Sequence, residues 1–338
     1  MSVDCAYYSH GARHAEQPHS LTEAAAIPRR GGSYVWIELG EPSQELMTAI
    51  ARLFDLHELA VEDAAGAHQR PKVESYDGFH LVVFKTARFD DRQKQVEFGE
   101  VDIFVGVGFV IAVRHGAAGD PIRTRLRVES HPELLKVGPA AVVWGILDMV
   151  VDDYEPVVEA LESEIEDVER AIFAGREDLT EQIYLLKTEI NELYRALHPL
   201  LSPLEAMERG EFQTDAGLRR YFRDVADHVR RLQDEVVAQR DQLAAVLEAN
   251  LSLISLRQNE ISAQQNQVVK QLTLVATVFL PLAFITAFFG QNFGWMTRHI
   301  NSFATFLAIG IGALVFSCIA LFAWFRQGGY VAAGRSGR

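Results

Sequence analysis

Residues 266–296 read NQVVKQLTLVATVFLPLAFITAFFGQNFGWM and contain the segment around which the rest of the chain is organised. The segment begins with polar side chains and then runs for eighteen residues, from Leu272 to Phe289, without a charge. That length is enough for one helix to cross the hydrocarbon core of a membrane. The uncharged run stops at Gly290-Gln291-Asn292, where the glycine permits a left-handed helix end.

A second uncharged run, residues 303–325, begins only thirteen residues after the first one ends. Two membrane spans this close form a hairpin, so both ends of the chain are expected on the same side of the membrane. Basic residues near membrane spans favour the cytoplasmic side. Outside the hairpin loop they number five, against one arginine and one histidine inside it: Arg257, Lys270, Arg326, Arg335 and Arg338, against Arg298 and His299. The sequence therefore predicts a cell-membrane protein with both termini in the cytoplasm.

The composition restricts the classes of function. A net charge of -14 disfavours nucleic acid as a partner and favours cations. The two cysteines, Cys5 and Cys318, lie in the N-terminal segment and in the second span, so we expect no disulfide between them. Residues 1–33 lack the apolar core of a signal peptide, so the large N-terminal part is expected to stay in the cytoplasm. The chain carries no nucleophile elbow, phosphate loop or zinc-protease motif, so we expect no enzyme activity.

The N-terminal half mixes two periodicities. Residues 1–32 have no sustained period and are expected to form a mobile tail, in which three histidines (His10, His14 and His19) match no ligand spacing. From residue 33 to 151, strand and helix patterns alternate, which predicts an α+β domain. The predicted strands are 33–39, 80–86, 96–106 and 108–116, and the predicted helices are 45–54, 57–65, 121–127 and 139–151.

From residue 152 onward the strand patterns stop, and two long helices are predicted to form an antiparallel stalk over residues 152–271. The first helix covers residues 152–197 and is interrupted near Gly175. The second begins near residue 217 and continues without a break to Phe289, since neither proline nor glycine occurs between Leu218 and Val278. Apolar residues recur on both helices in steps of three and four: Val158, Leu161, Ile165, Val168 and Ile172, then Val229, Leu232, Val236, Leu243, Val246 and Leu253.

One face of the first span is small and uncharged, because Ala276, Leu280, Ala283 and Ala287 recur at four, three and four residues. Small residues allow membrane helices to approach each other closely. The face either packs against the second span of the same chain or surrounds the axis of a symmetric oligomer. Pro281 removes one backbone donor and is expected to bend the helix.

Three stretches carry a resemblance to a known family. FLPLAFITAFFGQNFGWM (279–296), LHELAVEDAAGAHQRPKVESYDGFHLVVFKT (56–86) and YFRDVADHV (221–229) are similar, in this order, to the CorA family of divalent-cation channels. The resemblance implies a funnel-shaped homopentamer in the lipid bilayer that conducts hydrated magnesium and often cobalt or nickel. It implies no organic cofactor.

The resemblance also implies roles for individual residues. The selectivity filter would consist of Gly290, Gln291 and Asn292, with the Asn292 amide holding the water shell of the ion. A regulatory magnesium ion would bind between subunits, to Glu62 or Asp63 of one subunit and Asp224 of the next, and would suppress opening. The pore-lining residues implied, from the cytoplasmic end outward, are Asn266, Leu272, Ala276, Leu280, Ala283 and Ala287.

Two departures from the family pattern leave alternatives open. Gln291 replaces the methionine of the family signature, so transport of zinc or another transition metal on the same fold is an alternative. The outer loop carries Arg298 and His299 where family members often carry acidic residues. A membrane-anchored signalling protein is a further alternative, but a thirteen-residue loop is too short for an external sensor domain.

These predictions divide the chain into seven segments. They are a tail (1–32), an α+β domain (33–151), a helical stalk (152–271), a first span (272–289), an outer loop (290–302), a second span (303–325) and a cytoplasmic tail (326–338).

Overall fold

The computed structural model describes residues 2–28, 32–66, 69–117, 119–176, 178–210, 216–291, 294–299 and 302–327. The chain divides into two compact units, residues 1–250 and 251–338. The first unit contains a mixed sheet and its helices, and the second contains the two hydrophobic segments. The boundary between the units falls within one long helix, so it coincides with none of the predicted segment boundaries.

A seven-stranded sheet forms the centre of the first unit, with the strand order β2-β1-β3-β7-β6-β5-β4. Only β3 and β7 are parallel, and the remaining pairs are antiparallel, so the sheet is of the α+β type that the sequence predicts. The strands are β1 (Ser2–Ser9), β2 (Ala12–Arg13), β3 (Tyr34–Gly40), β4 (Lys72–Tyr76), β5 (Phe79–Asp90), β6 (Gln95–Gly106) and β7 (Phe109–Gly116).

The sequence located four of these seven strands (β3, β5, β6 and β7) and missed β1, β2 and β4. Strands β6 and β7 join through a two-residue turn, Val107-Gly108, in which Gly108 has φ +80. A positive φ is easily reached by glycine alone, which explains the tight connection predicted there.

Helices cover both faces of the sheet. On one face lie α1 (Leu21–Ala26), α2 (Gln44–Phe54) and α3 (Glu58–Gly66), which share an apolar core with the strands. Helix α6 (Pro139–Phe173) packs against β5, β6 and β7, and α4 (Pro121–Glu129) and α5 (Pro132–Leu135) pack against α6. The Tyr154 hydroxyl of α6 donates a 2.7 Å hydrogen bond to the Lys85 carbonyl oxygen of β5.

The predicted boundary at residues 151 and 152 is wrong, because α6 runs unbroken from Pro139 to Phe173. Its first part is buried on every side, from Ala141 to Val151, whereas its second part buries only one stripe. The change in hydrophobic pattern near residue 151 therefore reflects a change from full burial to burial on one side, within a single helix. The predicted interruption near Gly175 is confirmed, since α7 (Thr180–Leu197) begins after it.

Helix α9 extends from Ala216 to Phe289, as the absence of helix breakers predicts. In the first unit it packs with α6 and α7, and side-chain amides cross between the helices. Gln239 donates to the Val158 carbonyl oxygen (2.8 Å) and Gln233 to the Leu197 carbonyl oxygen (2.9 Å). The predicted apolar positions of α6 and α9 are buried, except that Leu253 is half-buried.

Short elements complete the chain. A single 3-10 turn (His198–Leu200) leads into α8 (Leu201–Arg209), and α10 (Gly294–His299) lies between the two hydrophobic segments. The second hydrophobic segment comprises α11 (Phe303–Thr305), a π-helical turn (Phe306–Ile311) and α12 (Gly312–Gln327).

The prediction of a mobile N-terminal tail is wrong. Strand β1 pairs along its length with β3, from Ser2↔Gly40 to Tyr8↔Tyr34. Side chains cap the start of helix α1, because the Ser20 hydroxyl accepts from the Glu23 amide and the Glu23 carboxylate accepts from the His19 amide. No sustained local period marks β1, because it is a strand through its pairing with β3, about 30 residues further along the chain.

We predict that Tyr8→Phe destabilises the protein by about 1.5–3 kcal/mol, because it removes a hydrogen bond to a charged acceptor. The buried Tyr8 hydroxyl donates to the Glu129 carboxylate at 2.6 Å, and the ring stacks on Tyr34. Thermal unfolding of the purified protein measures the loss.

The matched control is Tyr7→Phe, since Tyr7 precedes Tyr8 in β1 and points to the opposite face of the sheet. We expect this change to cost less than ~0.5 kcal/mol. Equal losses from the two substitutions would contradict the buried position of Tyr8.

Candidate ion pathway and regulatory residues

The predicted pore residues all lie on the exposed surface of α9 in the second unit. Leu272 is 68% and Leu280 is 71% exposed, and Asn266, Ala276, Ala283 and Ala287 are exposed as well. With 100° between successive residues, Ala276, Leu280, Ala283 and Ala287 form one stripe along the helix. We call these four residues the small-residue face.

The opposite side of the same helix is half-buried. Its half-buried residues are Leu274, Thr277, Val278, Pro281, Leu282, Ile285 and Phe289. Packing within the second unit therefore uses this side and leaves the small-residue face uncovered. Of the two explanations that the sequence left open, packing against the second span of the same chain does not account for the small-residue face.

Backbone hydrogen bonds continue to the end of the first hydrophobic segment. The Gly290 amide donates to the Thr286 carbonyl oxygen (3.0 Å) and the Gln291 amide to the Phe288 carbonyl oxygen (3.3 Å). Gly290 does not adopt the left-handed conformation that the sequence suggested. A Cβ atom there would approach the Thr286 carbonyl oxygen to 3.3 Å, so close packing is a reason for glycine. Asn292, the third residue of the predicted filter, lies outside the described residues.

The helix α3 carries two of the predicted regulatory residues in the first unit. Glu62 is exposed, and Asp63 is partly exposed and forms an ion pair with Lys72 of β4 at 2.6 Å. Lys72 also contacts Glu74 at 2.9 Å, and Glu74 accepts a hydrogen bond from the Tyr76 hydroxyl. One lysine therefore pairs with two carboxylates beside α3 and leaves a net negative charge there.

This small network shifts two pKa values in opposite directions. The hydrogen bond from Lys72 holds the pKa of Glu74 below its usual value of 4.5, and the Tyr76 hydroxyl adds to the effect. Burial favours a lower pKa for Lys72, but its hydrogen bonds to Asp63 and Glu74 outweigh burial and raise the pKa above 10.5.

The third predicted regulatory residue, Asp224, is exposed on the first turns of α9. Two further acidic residues, Asp148 and Asp152, lie near it on α6, and Arg127 of α4 pairs with both. Burial raises the pKa of Asp148, and repulsion from Asp152 and Asp224 raises it further against the attraction of Arg127. The sequence analysis missed this pair, although its spacing of four places both carboxylates on one face of a helix.

The predicted regulatory residues do not assemble into a metal site within one chain. In the described ranges, no group of three or more histidine, cysteine, aspartate or glutamate side chains is able to hold a metal ion. Asp63 is instead paired with a lysine, and Asp224 faces the Asp148 and Asp152 carboxylates.

Both hydrophobic segments are long and apolar enough to cross a membrane. Over eighteen residues, the mean hydropathy reaches 2.3 in the helix that includes 272–289 and 2.5 in Phe303–Phe325, and these windows are almost entirely unburied. Apolar helices that nothing covers are expected in lipid. The architecture is thus that of a two-span membrane protein with a large α+β domain.

Comparison with known proteins gives the family. The family model described as CorA-like Mg2+ transporter protein matches residues 31–327, and the chain belongs to this family. It is accordingly a divalent-cation transporter of the membrane and not an enzyme.

Individual relatives agree over most of their lengths. The chain is 30% identical over 282 residues to the cobalt/magnesium transport protein CorA of Thermotoga maritima, covering 80% of this chain and 77% of that protein. It is 28% identical over 302 residues to YfjQ of Bacillus subtilis (strain 168), covering 88% and 90%. The solved CorA magnesium transporter of Methanocaldococcus jannaschii shares the fold, with a TM-score of 0.60, 21% identity and coverage of 90% and 91%.

We predict that Lys72→Met costs about 0.5–1 kcal/mol of stability at pH 7, since the ion pairs it removes are partly exposed. Glu74 has a lowered pKa in the folded state. Its contribution to the free energy of unfolding is therefore present above pH 4.5 and disappears as the pH falls through the folded pKa. Because the pKa of Lys72 is raised, the contribution of this lysine to stability is lost only above pH 10.5.

Thermal unfolding at pH 7 and across a series of falling pH values, continued until the difference between the two proteins no longer changes, measures this contribution. The control is Lys136→Met, which removes a lysine from an exposed pair with Glu133. A Lys72→Met penalty that stays constant throughout the acid series would show that its origin is packing and not charge.

Proposed function

We propose that this protein is a homopentameric, funnel-shaped channel that passes hydrated magnesium across the cytoplasmic membrane. The observation that carries the proposal is the small-residue face of α9, which is exposed in the single chain and lies opposite the half-buried side. An uncovered small-residue stripe on a membrane helix needs either other helices or a water-filled pathway beside it. Five copies arranged around an axis would supply both.

Along this pathway, the proposed lining changes from polar to apolar and back to polar. Asn266 stands at the cytoplasmic end, and Leu272 and Leu280 would form apolar constrictions that close by excluding water. Gly290, Gln291 and Asn292 would form the outer filter. Magnesium loses its water shell reluctantly, so neutral amide oxygens suit an ion that enters hydrated.

The choice of ion rests on the family and on one departure from it. The Thermotoga maritima relative is named a cobalt/magnesium transport protein, which supports magnesium with cobalt, and nickel by the similarity of the ions. Gln291 supports zinc or another transition metal as the alternative. Both spans, the thirteen-residue loop and the distribution of basic residues support a cell-membrane location with cytoplasmic termini.

Regulation would use the acidic residues of the first unit. Glu62 or Asp63 of one subunit and Asp224 of its neighbour would share a magnesium ion, and Asp148 and Asp152 add negative charge beside Asp224. Carboxylates brought together repel each other unless a cation lies between them. A filled site would hold the subunits in the closed ring, and loss of the ion would release them.

We predict that the protein in liposomes admits magnesium and that Asn292→Ala abolishes the flux while the oligomer remains intact. The amide is the proposed contact to the water shell of the ion. The same assay with cobalt, nickel and zinc decides the preferred ion. The control is Asn301→Ala, the same change later in the same loop, which should retain wild-type flux.

Wild-type flux through an intact Asn292→Ala oligomer would falsify the filter. Absence of flux for all four ions in the wild-type protein would contradict the channel itself.

We predict that Asp63→Asn combined with Asp224→Lys removes the control of opening by magnesium. The substitutions remove two carboxylates and place a fixed positive charge where the ion would bind. The measurement is protease resistance of the purified protein with and without magnesium. In the wild-type protein magnesium should protect, and in the double variant the digestion rate should be the same with and without the ion.

The matched control for this measurement is Asp91→Asn with Asp234→Lys, which changes two other exposed aspartates in the same way. Undiminished magnesium protection in the Asp63/Asp224 double variant would place the sensor elsewhere.

A further inference from the structure

An aspartate is buried beneath the helix that carries Asp63. Asp102 lies in the middle of β6, paired with Val83 on β5 and Val113 on β7, and both valines belong to the apolar core shared with α3. The Asp102 side chain is 0% exposed. The same row of the sheet continues on β4 with Lys72, which pairs with Val83. Asp102 and Lys72 therefore point to the same face, two strands apart.

Neither carboxylate oxygen of Asp102 has a hydrogen-bond partner among the residues that the structure describes. A buried carboxylate without a partner pays the full cost of leaving water, so it takes up a proton. Burial raises the pKa of Asp102 to about 9, repulsion from Glu100 contributes, and Lys85 and Lys72 oppose the shift. At neutral pH Asp102 is a neutral acid inside the core.

The charged groups around Asp102 come from every neighbouring element on this face. They are Asp63 on α3, Lys72 and Glu74 on β4, Lys85 on β5, Glu100 on β6 and His115 on β7. Lys85 is held by Glu100 at 2.5 Å, and one ring nitrogen of His115 lies 2.8 Å from the Ala64 carbonyl oxygen. Lys72 connects these groups to Asp63 through its 2.6 Å ion pair.

We propose that Asp102 is a second acceptor for the ammonium group of Lys72. When a divalent cation binds the Asp63 carboxylate, the Lys72 ammonium group leaves that carboxylate and turns along the sheet row toward Asp102. Asp102 then releases its proton to solvent. The proposal rests on the proposed regulatory role of Asp63. It adds Asp102 as the group that receives Lys72 when the metal ion binds Asp63. Binding of the metal ion is then coupled to the displacement of Lys72 and to the release of one proton, and both steps are reversible.

The charges balance in this exchange. In the ion-free state, Asp63, Glu74 and Glu100 carry three negative charges, Lys72 and Lys85 carry two positive charges, and Asp102 is neutral. Binding of one divalent cation adds two positive charges, and loss of one proton removes one. No bond other than the O–H bond of Asp102 is broken.

The sheet register brings the two side chains within reach of each other. Adjacent strands lie about 4.8 Å apart, so the Cα atoms of Lys72 and Asp102 are separated by roughly 10 Å. Lysine has a flexible four-carbon stem and a compact ammonium group, which suits it to exchange between carboxylates. Because α3 covers Asp102 and also carries Asp63, the arrival of Lys72 under α3 would link ion binding to the position of this helix.

The exchange makes the affinity for magnesium depend on pH. Ion binding is coupled to proton release, so a higher pH favours the ion-bound state. For one proton released per ion, the affinity rises up to tenfold per pH unit below the pKa of Asp102 in the ion-free state. Between pH 7 and 8.5 the magnesium concentration that gives half-maximal protease protection should therefore fall as the pH rises.

Two measurements on the purified full-length protein test the proposal. The first is proton release on addition of magnesium at pH 8, followed with a pH indicator in weak buffer. The second is the protection midpoint at pH 7 and pH 8.5. The wild-type protein should release up to one proton per subunit. Asp102→Asn keeps the shape but cannot ionise, so it should release none and should lose the pH dependence of the midpoint.

The control is Asp91→Asn, which removes an exposed aspartate from the turn between β5 and β6 and should behave like the wild-type protein. Lys72→Met serves as a second variant that does not alter the buried aspartate. It should bind magnesium with greater affinity, because the competing ammonium is gone, and release fewer protons. If Asp102→Asn fails to fold, Lys72→Met decides the question.

Magnesium protection without proton release in the wild-type protein, or equal proton release from Asp102→Asn, would overturn the exchange and leave the channel and its regulatory site standing. Magnesium flux without any magnesium protection would remove the regulatory site, and the exchange with it. Absence of flux in the liposome assay would instead contradict the proposed function. The three failures are therefore distinguishable.

Discussion

The constraint on which the membrane part of this protein depends is the cost of leaving backbone polar groups without partners in hydrocarbon. The long helix α9 meets it by continuing without interruption from Ala216 to Phe289, well beyond the length needed for a span. Its hydrogen bonds extend to Gly290 and Gln291, so the helix ends only where the polar loop begins. Pro281 is tolerated because it removes a single donor. With the backbone satisfied in this way, the side chains can differ around the helix, and they produce one half-buried side and one small-residue face.

Carboxylates outnumber their basic partners at two places in the first unit. Lysine and arginine neutralise carboxylates incompletely in two places of the first unit. Beside α3, Lys72 serves both Asp63 and Glu74, while Asp102 stays uncharged in the core. On α6, Arg127 serves Asp148 and Asp152 near Asp224. A site with more carboxylates than basic groups is poised to accept a cation, and the basic partners limit the repulsion when the cation is absent.

Sequence patterns predicted the elements whose signals are local. The heptad-like spacing and the absence of helix breakers predicted α9 almost to the residue, and alternating apolar residues located β3, β5, β6 and β7. The N-terminal segment was assigned wrongly because β1 becomes a strand through pairing with β3, which no local pattern reveals. The boundary at residues 151 and 152 failed for the reverse reason. One helix changes from complete burial to burial on one side. This changes its hydrophobic pattern, which led to the prediction of two segments.

Two hydrophobic spans, a long uninterrupted helix, an α+β domain and the family motifs can all be read from the sequence alone. These depend on side-chain periodicity and on the energy of transferring apolar helices from water to lipid. Three features follow from the packing of the folded chain. One side of α9 remains uncovered, Lys72 pairs with Asp63, and Asp102 lies buried in the same sheet row as Lys72. Such relations join residues on different elements. Strand register and helix packing set them, and a shift of one residue in register would move Asp102 to the opposite face of the sheet.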